Sequence, residues 1–434
     1  MTFSNRRKLA IGFALLFLLP FSFSYERFLK ADDSRLVSTS TRDGRLIVFD
    51  DVWETIEERY YDPLFRGIDW SSRRTIFRPL AAKADSTQEF YDILRRMIAP
   101  LRDAHTRVYS PDEKFDWWKP TFVNVGLSLR EVDGKITVVQ VEPSSPAKGA
   151  GIRAGDVLIK IDDTPVEQIV AARFKELGFE PDEWTRLRVV TTLLEGSPGS
   201  TVKIDWQDHD NNIKSSVLNR ERIERVLGFH VQTNHGWTTI RIDAFTPRVV
   251  SELASAVSRK VKNTKGFILD LRANGGGDAE AMAEVASLFL PAGTALGKFS
   301  DRSGSSFELR STSRFVLEAN SHLNTSLPIV VLTSESTSSA AEILAAALQK
   351  NRRAQLIGTR TCGCVLAIRN RHPLPDGGVL DVSELDYWTS DGVRLEGTGV
   401  LPNNVVKAHR RDFYARKDNV LEQARVTLKT LAAR

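Results

Sequence analysis

The sequence predicts a multidomain α+β protein in which a helical N-terminal region, a β-rich middle region and an α/β core follow one another. Three patterns predict this order. Apolar residues recur at helical spacing in the region 46–118, short β-rich runs with turn residues fill 120–226, and strands alternate with helices from Gly228 onwards. A chain of 434 residues is too long for one small core, which agrees with several domains.

The first 24 residues are predicted to be a targeting segment that lies outside the fold. The cationic stretch "NRRK" precedes the apolar stretch "LAIGFALLFLLPFSF". Its 15 residues suit a secretory leader, whereas a membrane span needs about 20. Ser22 and Ser24 permit cleavage before Tyr25, and an uncleaved segment would tether the protein to a membrane. Both alternatives place the protein in an exported compartment, periplasmic or secreted, with residues 25–45 as a linker.

Composition excludes several classes of function. The formal net charge of +5 is modest and no long Lys/Arg run is present, so nucleic acid is not an expected partner. The two cysteines of the chain are Cys362 and Cys364, and no second cysteine pair or His-x3-His motif accompanies them. We therefore expect no metal site and no cofactor. A disulfide between residues so close is strained but stays an option in an oxidising compartment. No feature assigns an oligomeric state.

The N-terminal region, 46–118, is predicted to be helical. The stretches "FDDVWETIEERYYDPLF" and "STQEFYDILRRMIAPLRD" carry apolar residues at helical spacing. Ser86 with Glu89 has the spacing of a capping box at the start of the second helix. The helical pattern ends at "DAHTRVYSP", where Pro111 breaks it.

The middle region, 120–226, is predicted to be a small β domain with a hairpin turn at Asp133-Gly134. Its stretch "SPAKGAGIRAGDVLIKIDDTPV" resembles a PDZ domain of the bacterial protease type, with enough extra residues between Val166 and Glu195 for an additional helix. The resemblance implies that extended or C-terminal peptide segments bind by strand addition, with the carboxylate near Gly126. The implied peptide-binding residues are Val125, Gly126, Leu127 and Ser128.

The C-terminal core, 228–434, repeats strand and helix patterns. "KGFILDLRANGGG" reads as a strand ending in a glycine turn, and "LPIVVLTSES" reads as a strand followed by the helix "SSAAEILAAALQKN". Repeated units of this kind predict a mainly parallel sheet with helices on its faces. Active sites in such sheets lie where strands end and helices begin.

Two of these strand ends carry candidate chemistry. Ser339 opens a helix, where a serine can attack a carbonyl while free backbone N–H groups stabilise the oxyanion. The alternative is an ordinary capping box of Ser339 with Glu342. The glycines of "DLRANGGG" could present N–H groups to a ligand, and the alternative is a tight turn.

Two further residues could assist a serine nucleophile. His105 in "LRDAHTRV" is a candidate general base, and its alternative role is that of a histidine favoured at a helix end. Glu396 in "SDGVRLEGTGVLPN" is a candidate carboxylate of the site, and its alternative is a solvated turn.

Together these motifs resemble the PDZ-containing serine peptidases known as C-terminal processing or tail-specific proteases, and their tricorn-like relatives. The resemblance covers residues 46–430 and implies a core of the crotonase/Clp-protease type. It places the nucleophile on Ser339. It also implies an oxyanion site formed by Gly275 or Gly276 with the N–H of Ala340.

The sequence departs from the Ser/Lys branch of that family. The branch has a lysine 25 residues after the nucleophile and a glutamine four residues later, where this chain has Cys364 and Ile368. Lys350 would lie about 16 Å away along the same helix. The tricorn-like branch instead uses a histidine in "D-x-H" and a glutamate in "G-x-x-[IL]-E-G". The resemblance to that branch implies His105 as the base, with Glu396 polarising or orienting it.

The expected function is therefore an exported serine endopeptidase that cleaves proteins or peptides through an acyl-enzyme on Ser339. An unperturbed histidine pKa of about 6.5 predicts loss of activity below pH ~6–7. The alternative is an inactive family member that binds peptides or hydrophobic ligands. A third option, Cys364 as nucleophile, has no helix N-terminus to lower the thiol pKa.

Overall fold

The computed structural model describes residues 36–113, 120–177, 180–224, 226–260, 264–312 and 327–433. The predicted targeting segment lies outside these described residues. Within them, none of the helices has both the length and the apolar character needed to cross a bilayer.

The N-terminal region is formed by α1 (Arg42–Arg59), α2 (Trp70–Lys83) and α3 (Thr87–Ile98). Each helix begins at a polar cap: Thr41, Asp69 and Ser86 accept a backbone N–H from the first turn. The Ser86 cap confirms the predicted start of α3, although Glu89 accepts the N–H of Asp85. The aromatic and aliphatic core of these helices also contains Leu366, Leu374, Leu380 and Val382. The N-terminal helices therefore pack on a segment near the other end of the chain.

A short strand, β1 (Arg107–Tyr109), follows the helices. It pairs antiparallel with residues 379–381, where Arg107 lies opposite Asp381. The sequence predicted only that the helical pattern ends at Pro111. The strand itself was not predicted, because pairing between segments so far apart in the chain has no local sequence pattern. This strand fixes the preceding residues, including His105, against the C-terminal core.

The middle region contains a sheet of five consecutive neighbouring strands, and a sixth short strand forms a hairpin with one of them. Its elements are β2 (Thr121–Asn124), β3 (Leu127–Val132), β4 (Lys135–Val141), α4 (Pro146–Gly149), β5 (Val157–Ile161), β6 (Thr164–Pro165), α5 (Val166–Leu177), α6 (Glu183–Thr191), β7 (Thr201–Gln207), β8 (Ile213–Asn219) and β9 (Glu221–Glu224). The strand order is β3-β4-β5-β7-β8, with β6 paired to β5 and β2 paired to β9. Asp133 and Gly134 both have positive φ and close the predicted β3–β4 hairpin. Because β3 lies at the edge of the sheet, its outer side is open to strand addition.

The C-terminal core is the largest unit. Its elements are β10 (Phe229–Asn234), β11 (Trp237–Ile242), α7 (Pro247–Lys260), β12 (Phe267–Asp270), α8 (Ala279–Ala286), β13 (Ala295–Ser300), β14 (Ser306–Arg310), β15 (Ile329–Thr333), α9 (Ala340–Lys350), β16 (Gln355–Gly358), β17 (Arg371–Pro373), β18 (Val379–Asp381), β19 (Asp386–Trp388), β20 (Asn404–Val405), α10 (Arg410–Tyr414) and α11 (Asn419–Ala432).

The main sheet has the order β10-β11-β12-β15-β16-β20. The first pair is antiparallel and the others are parallel, which confirms the predicted mainly parallel sheet. Alternate residues along the strands lie on opposite faces of the sheet. Leu269 and Val331 pack in one hydrophobic cluster with α8 and α9, whereas Ile268 and Val330 pack in another with α11. The parallel strands β12, β15 and β16 end on one edge, so the loops after Asp270, Thr333 and Gly358 meet there.

Candidate active site

Ser339 lies immediately before α9, in the loop that follows β15. Its backbone has φ 56° and ψ −126°, a conformation that is rare for a residue with a side chain. Sharp, strained turns from strand to helix expose the serine nucleophile in many hydrolases. Only half of the alternative capping box forms: the Glu342 carboxylate accepts the Ser339 N–H at 3.1 Å, while the Ser339 hydroxyl does not cap the helix. The hydroxyl is thus left for other chemistry.

The glycine loop after β12 lies directly against Ser339. Gly276 has φ 99°, and a Cβ atom on it would lie 2.7 Å from the Ser339 Cβ and 3.1 Å from the Ala340 nitrogen. The Gly276 N–H already donates to the buried side chain of Asn274 at 2.8 Å. The N–H groups of Gly275 and Ala340 have no acceptor among the described residues. Of the oxyanion donors implied by the sequence, Gly275 and Ala340 are therefore the ones with free N–H groups.

The loop that contains both cysteines forms the other wall beside Ser339. The Cys364 carbonyl accepts the Ser339 N–H at 3.0 Å, and the Cys362 N–H donates to the Thr337 carbonyl at 3.0 Å. Cys362 and Cys364 form a disulfide, the option that the sequence made secondary. Cys364 is buried and its sulfur is bonded, so the structure offers no thiolate there.

Glu342 is a fully buried carboxylate beneath this loop. Its Oε1 accepts the Thr361 hydroxyl at 2.5 Å and the Gly363 N–H at 2.7 Å, while its Oε2 accepts the N–H groups of Cys364 at 2.9 Å and of Ser339. Burial raises the pKa of Glu342 to about 7, and these hydrogen bonds oppose the rise. Glu342 thus joins the turn at Ser339 to the disulfide loop.

Glu396 lies on the far side of the same loop and is also buried. Its Oε2 accepts the N–H groups of Val365 at 2.9 Å and Leu366 at 3.3 Å, and its Oε1 lies 3.6 Å from Arg66 Nη1. Burial raises the pKa of Glu396 to about 8; the Val365 hydrogen bond and the Arg66 charge oppose the rise, while the Asp103 charge adds to it. Glu396 is a buried carboxylate bound by the loop, and the alternative of a solvated turn is wrong.

His105 lies in the extended segment that leads into β1. Asp103 Oδ1 fixes the segment by accepting the backbone N–H groups of His105 at 2.9 Å and Thr106 at 2.6 Å, together with the Ser383 hydroxyl at 2.8 Å. The imidazole Nδ1 is buried without a hydrogen-bond partner. Burial lowers the pKa of His105 to about 4, the Asp103 charge opposes this shift, and the Arg107 charge adds to it. The ring is therefore neutral near pH 7.

The structure does not join the three proposed catalytic side chains by hydrogen bonds. No hydrogen bond connects the His105 ring with Ser339 or Glu396, all of which are described. The connection between Glu396 and the His105 segment runs through Arg66, whose Nη1 also donates to the Arg102 carbonyl at 2.9 Å. Sequence reasoning missed Arg66, which occupies a turn with φ 56° and carries no motif.

The PDZ-like residues contribute to a cavity of about 2930 Å³ between the middle region and the core. Gly126, Leu127 and Ser128 line this cavity, and Val125 is fully buried, with its carbonyl accepting the Ala147 N–H. The Gly126 N–H donates to Asn124 Oδ1 at 2.7 Å. The cavity also reaches Asp103 and the residues Ser334, Glu335 and Ser336, which precede Ser339 in the chain. It thus runs from the edge strand β3 towards the Ser339 loop.

Three family models match this chain in the order of its regions. The model for the Tricorn protease C1 domain matches residues 45–99, that for the PDZ domain residues 123–217, and that for Peptidase family S41 residues 237–406. The carboxy-terminal processing protease CtpA of Bacillus subtilis is 26% identical over 420 residues, covering 94% of this chain and 79% of the relative. The three models and this relative support a family of C-terminal processing peptidases with a PDZ domain. The protein is accordingly a serine-type peptidase.

Other similar proteins support the same family and fold. The carboxyl-terminal-processing protease of Picosynechococcus is 28% identical over 82% of this chain and 81% of its own length. The solved photosystem II D1 C-terminal processing protease has a TM-score of 0.56 at 25% identity, covering 84% of this chain and 93% of that chain. Mature CPAF has a TM-score of 0.68 at 15% identity over 90% of this chain and 98% of that chain, a likeness of fold.

The buried Glu342 of this processing peptidase has a testable structural role. Glu342→Ala will lower the free energy of unfolding by about 3 kcal/mol or more, because each buried donor left without an acceptor costs about 1–3 kcal/mol. Thermal unfolding followed by calorimetry measures the loss as a lower midpoint. The exposed, ion-paired Glu252→Ala is the control and should change stability by less than about 1 kcal/mol. Equal midpoints for the two variants would contradict the role of Glu342.

Proposed function

We propose that the peptidase cleaves proteins or peptides through an acyl-enzyme on Ser339, with His105 as general base and Glu396 as an orienting carboxylate. The observation that carries the proposal is the strained turn of Ser339 beside the free N–H groups of Gly275 and Ala340. A nucleophile and a pair of oxyanion donors on one sheet edge are the requirements of acyl transfer.

The proposed chemistry begins with attack of Ser339 Oγ on the scissile carbonyl carbon while the hydroxyl proton passes to His105. The N–H groups of Gly275 and Ala340 stabilise the oxyanion that forms. The tetrahedral intermediate collapses, the leaving amine takes the proton from His105, and an acyl-enzyme remains. A water molecule then attacks the ester with His105 again as base, which releases the acid and restores Ser339.

The role of His105 is supported by its burial and by its neutral state. A base must be unprotonated to accept the serine proton, and the lowered pKa of His105 meets that requirement at neutral pH. Its Nδ1 is buried without a partner, which leaves the ring free to form the catalytic hydrogen bond. Because no hydrogen bond joins the His105 ring to Ser339 in this structure, the proposal includes movement of the base onto the nucleophile when substrate binds in the cavity.

The substrate class proposed is a protein or peptide with an accessible C-terminal tail. Support comes from the open edge of β3 and from the cavity that extends from Gly126–Ser128 towards the nucleophile loop. The relatives' names, which describe carboxyl-terminal processing, agree with this class. The cationic and apolar leader supports action in an exported compartment, and relatives from Arabidopsis thaliana are chloroplastic.

A fluorophosphonate probe tests the nucleophile directly, since it reacts with activated serines. Wild-type protein should be labelled, Ser339→Ala should not be, and the neighbouring Ser338→Ala should retain labelling. Gel fluorescence and peptide mass spectrometry locate the adduct. Absence of labelling in the wild type, with retained binding of tail peptides, would instead support a protein that only binds peptides.

A further inference from the structure

The turn between α1 and α2 has a rare backbone conformation. Phe65, Arg66 and Gly67 have successive φ angles of 49°, 56° and 82°. Asp62 holds this turn, because its Oδ1 accepts the Leu64 N–H at 2.9 Å and its Oδ2 accepts the Arg66 N–H at 2.7 Å. Such conformations persist only where the surrounding structure enforces them, and they are frequent at functional sites. The backbone of Arg66 thus indicates a specific role for its side chain.

The Arg66 side chain contacts two parts of the candidate active site. Its Nη1 donates to the Arg102 carbonyl at 2.9 Å, and the same atom lies 3.6 Å from Glu396 Oε1. Arg102 directly precedes Asp103, whose carboxylate fixes the segment that carries His105. The other oxygen of Glu396 accepts two N–H groups of the disulfide loop. Arg66 therefore connects the segment of the proposed base with the loop beside the proposed nucleophile.

The charge of Arg66 acts on Glu396 at a place with little solvent. The Glu396 side chain is 4% exposed and the Arg66 side chain is 27% exposed. Burial raises the pKa of Glu396 to about 8, the charges of Asp103 and Glu342 add to this rise, and the Arg66 charge opposes it. Removal of one member of a buried ion pair leaves the other without compensation. Arg66 therefore stabilises both the position and the ionised form of Glu396.

Arg66 lies apart from the proposed substrate cavity. Arg66 and Glu396, both within the described residues, do not line the cavity of about 2930 Å³. Arg66 instead lines a second cavity of about 500 Å³, together with Tyr61, Asp386 and Arg394. An influence of Arg66 on cleavage would therefore act through Glu396 and not through contact with the peptide. The second cavity also gives a small ion access to the place of the Arg66 side chain.

We propose that Arg66 is a positioning residue of the peptidase, which holds Glu396 and the segment before His105 in the arrangement that proton transfer from Ser339 requires. The proposal rests on the proposed function and adds to it a residue from the N-terminal helical region. Displacement of reacting groups by about 1 Å can lower a rate by about 100-fold. Loss of Arg66 should therefore lower kcat and leave KM unchanged.

The first test measures cleavage of a fluorogenic tail peptide by Arg66→Ala. Its kcat should fall by about 10-fold or more, with KM within about 3-fold of the wild type. Free guanidinium ion, below the concentration that unfolds the protein, should restore part of kcat by occupying the vacated place. Arg73→Ala is the matched control, because Arg73 on α2 also donates to a backbone carbonyl, that of Arg96, at 2.8 Å. This control should keep the wild-type kcat with and without guanidinium.

The second test asks whether Arg66 acts through Glu396. In a Glu396→Gln background, Arg66→Ala should lower kcat by less than about 3-fold, and guanidinium should restore nothing. A purely structural role would produce the same loss in both backgrounds. Arg66→Gln keeps an amide donor but has no charge, and it provides the same comparison if Arg66→Ala does not fold.

The outcomes separate this proposal from the proposed function. A wild-type kcat in Arg66→Ala, or an equal loss in the wild-type and Glu396→Gln backgrounds, would overturn the positioning role and leave the peptidase intact. A loss that guanidinium does not reverse, together with a lower thermal midpoint, would assign Arg66 to stability alone and also overturn the proposal. A higher KM at unchanged kcat would overturn it in favour of substrate binding. No cleavage and no fluorophosphonate labelling in the wild type would overturn the function itself.

Discussion

Ser339→Ala will abolish peptide cleavage, with kcat reduced by about 10⁶-fold, because the acyl-enzyme cannot form without the Ser339 hydroxyl. The N–H groups of Gly275 and Ala340 stay in place, so a small rate above the uncatalysed reaction should remain. A fluorogenic tail peptide measures the turnover. Ser338→Ala, one residue earlier in the same loop, is the matched control and should keep kcat within about 10-fold of the wild type.

Binding of a tail peptide distinguishes a loss of catalysis in Ser339→Ala from a loss of folding. The dissociation constant of a tail peptide, measured by fluorescence anisotropy, should be the same for Ser339→Ala and the wild type. Removal of the side chain at a position with φ 56° leaves the strained backbone in place, since alanine meets the same restriction there. Turnover by Ser339→Ala near the wild-type rate would assign the nucleophile to another residue.

His105→Ala will lower kcat/KM by about 10⁴-fold, because the serine proton then has no positioned acceptor. Lys350 cannot replace the base: it lies at the far end of α9 and its Nζ contacts Asp391 at 2.5 Å. His230→Ala removes an exposed histidine on β10 and should leave kcat/KM unchanged. Full activity of His105→Ala would refute the histidine mechanism and require another base near Ser339.

The pH dependence of kcat/KM gives a second measure of the same base. Burial lowers the pKa of His105 to about 4, so the protonated, inactive form accumulates only at acidic pH. Activity should therefore persist below pH ~6, whereas an unperturbed histidine would lose activity below pH ~6–7. An acidic limb near pH 8 that disappears in Glu396→Gln would show that the reaction instead needs ionised Glu396, whose pKa burial raises to about 8.

Local patterns predicted much of the fold. The Asp133-Gly134 turn, the Ser86 cap and the strand-to-helix order around Ser339 depend on residues close in sequence, and each is confirmed. The likeness to tricorn and tail-specific proteases grouped Gly275, Ala340 and Ser339, and the structure has Gly275 and Ser339 in loops and Ala340 at the start of α9, on one sheet edge. These loops follow parallel strands, whose geometry puts them together.

Long-range features of the site left no signal in the sequence. The pairing of Arg107 with Asp381 depends on strands far apart in the chain, and Arg66 gains its role only when the helical region packs beside Glu396. The capping-box spacing of Ser339 and Glu342 predicts only one of the four hydrogen bonds that the buried Glu342 carboxylate accepts. Burial, which sets the pKa values of His105 and Glu396, is likewise a property of the assembled protein.

The pairing of β1 with β18 joins two segments that are synthesised at very different times. A chain leaves the ribosome from its N-terminus, so the segment with His105 emerges long before Asp381, the residue opposite Arg107. Ser339 follows His105 by more than half of the chain, and Glu396 follows later still. With His105, Ser339 and Glu396 in their proposed roles, we expect nascent chains to be inactive until almost the whole polypeptide has appeared. The proposed mechanism thereby predicts that a ribosome-bound chain does not cleave neighbouring nascent copies.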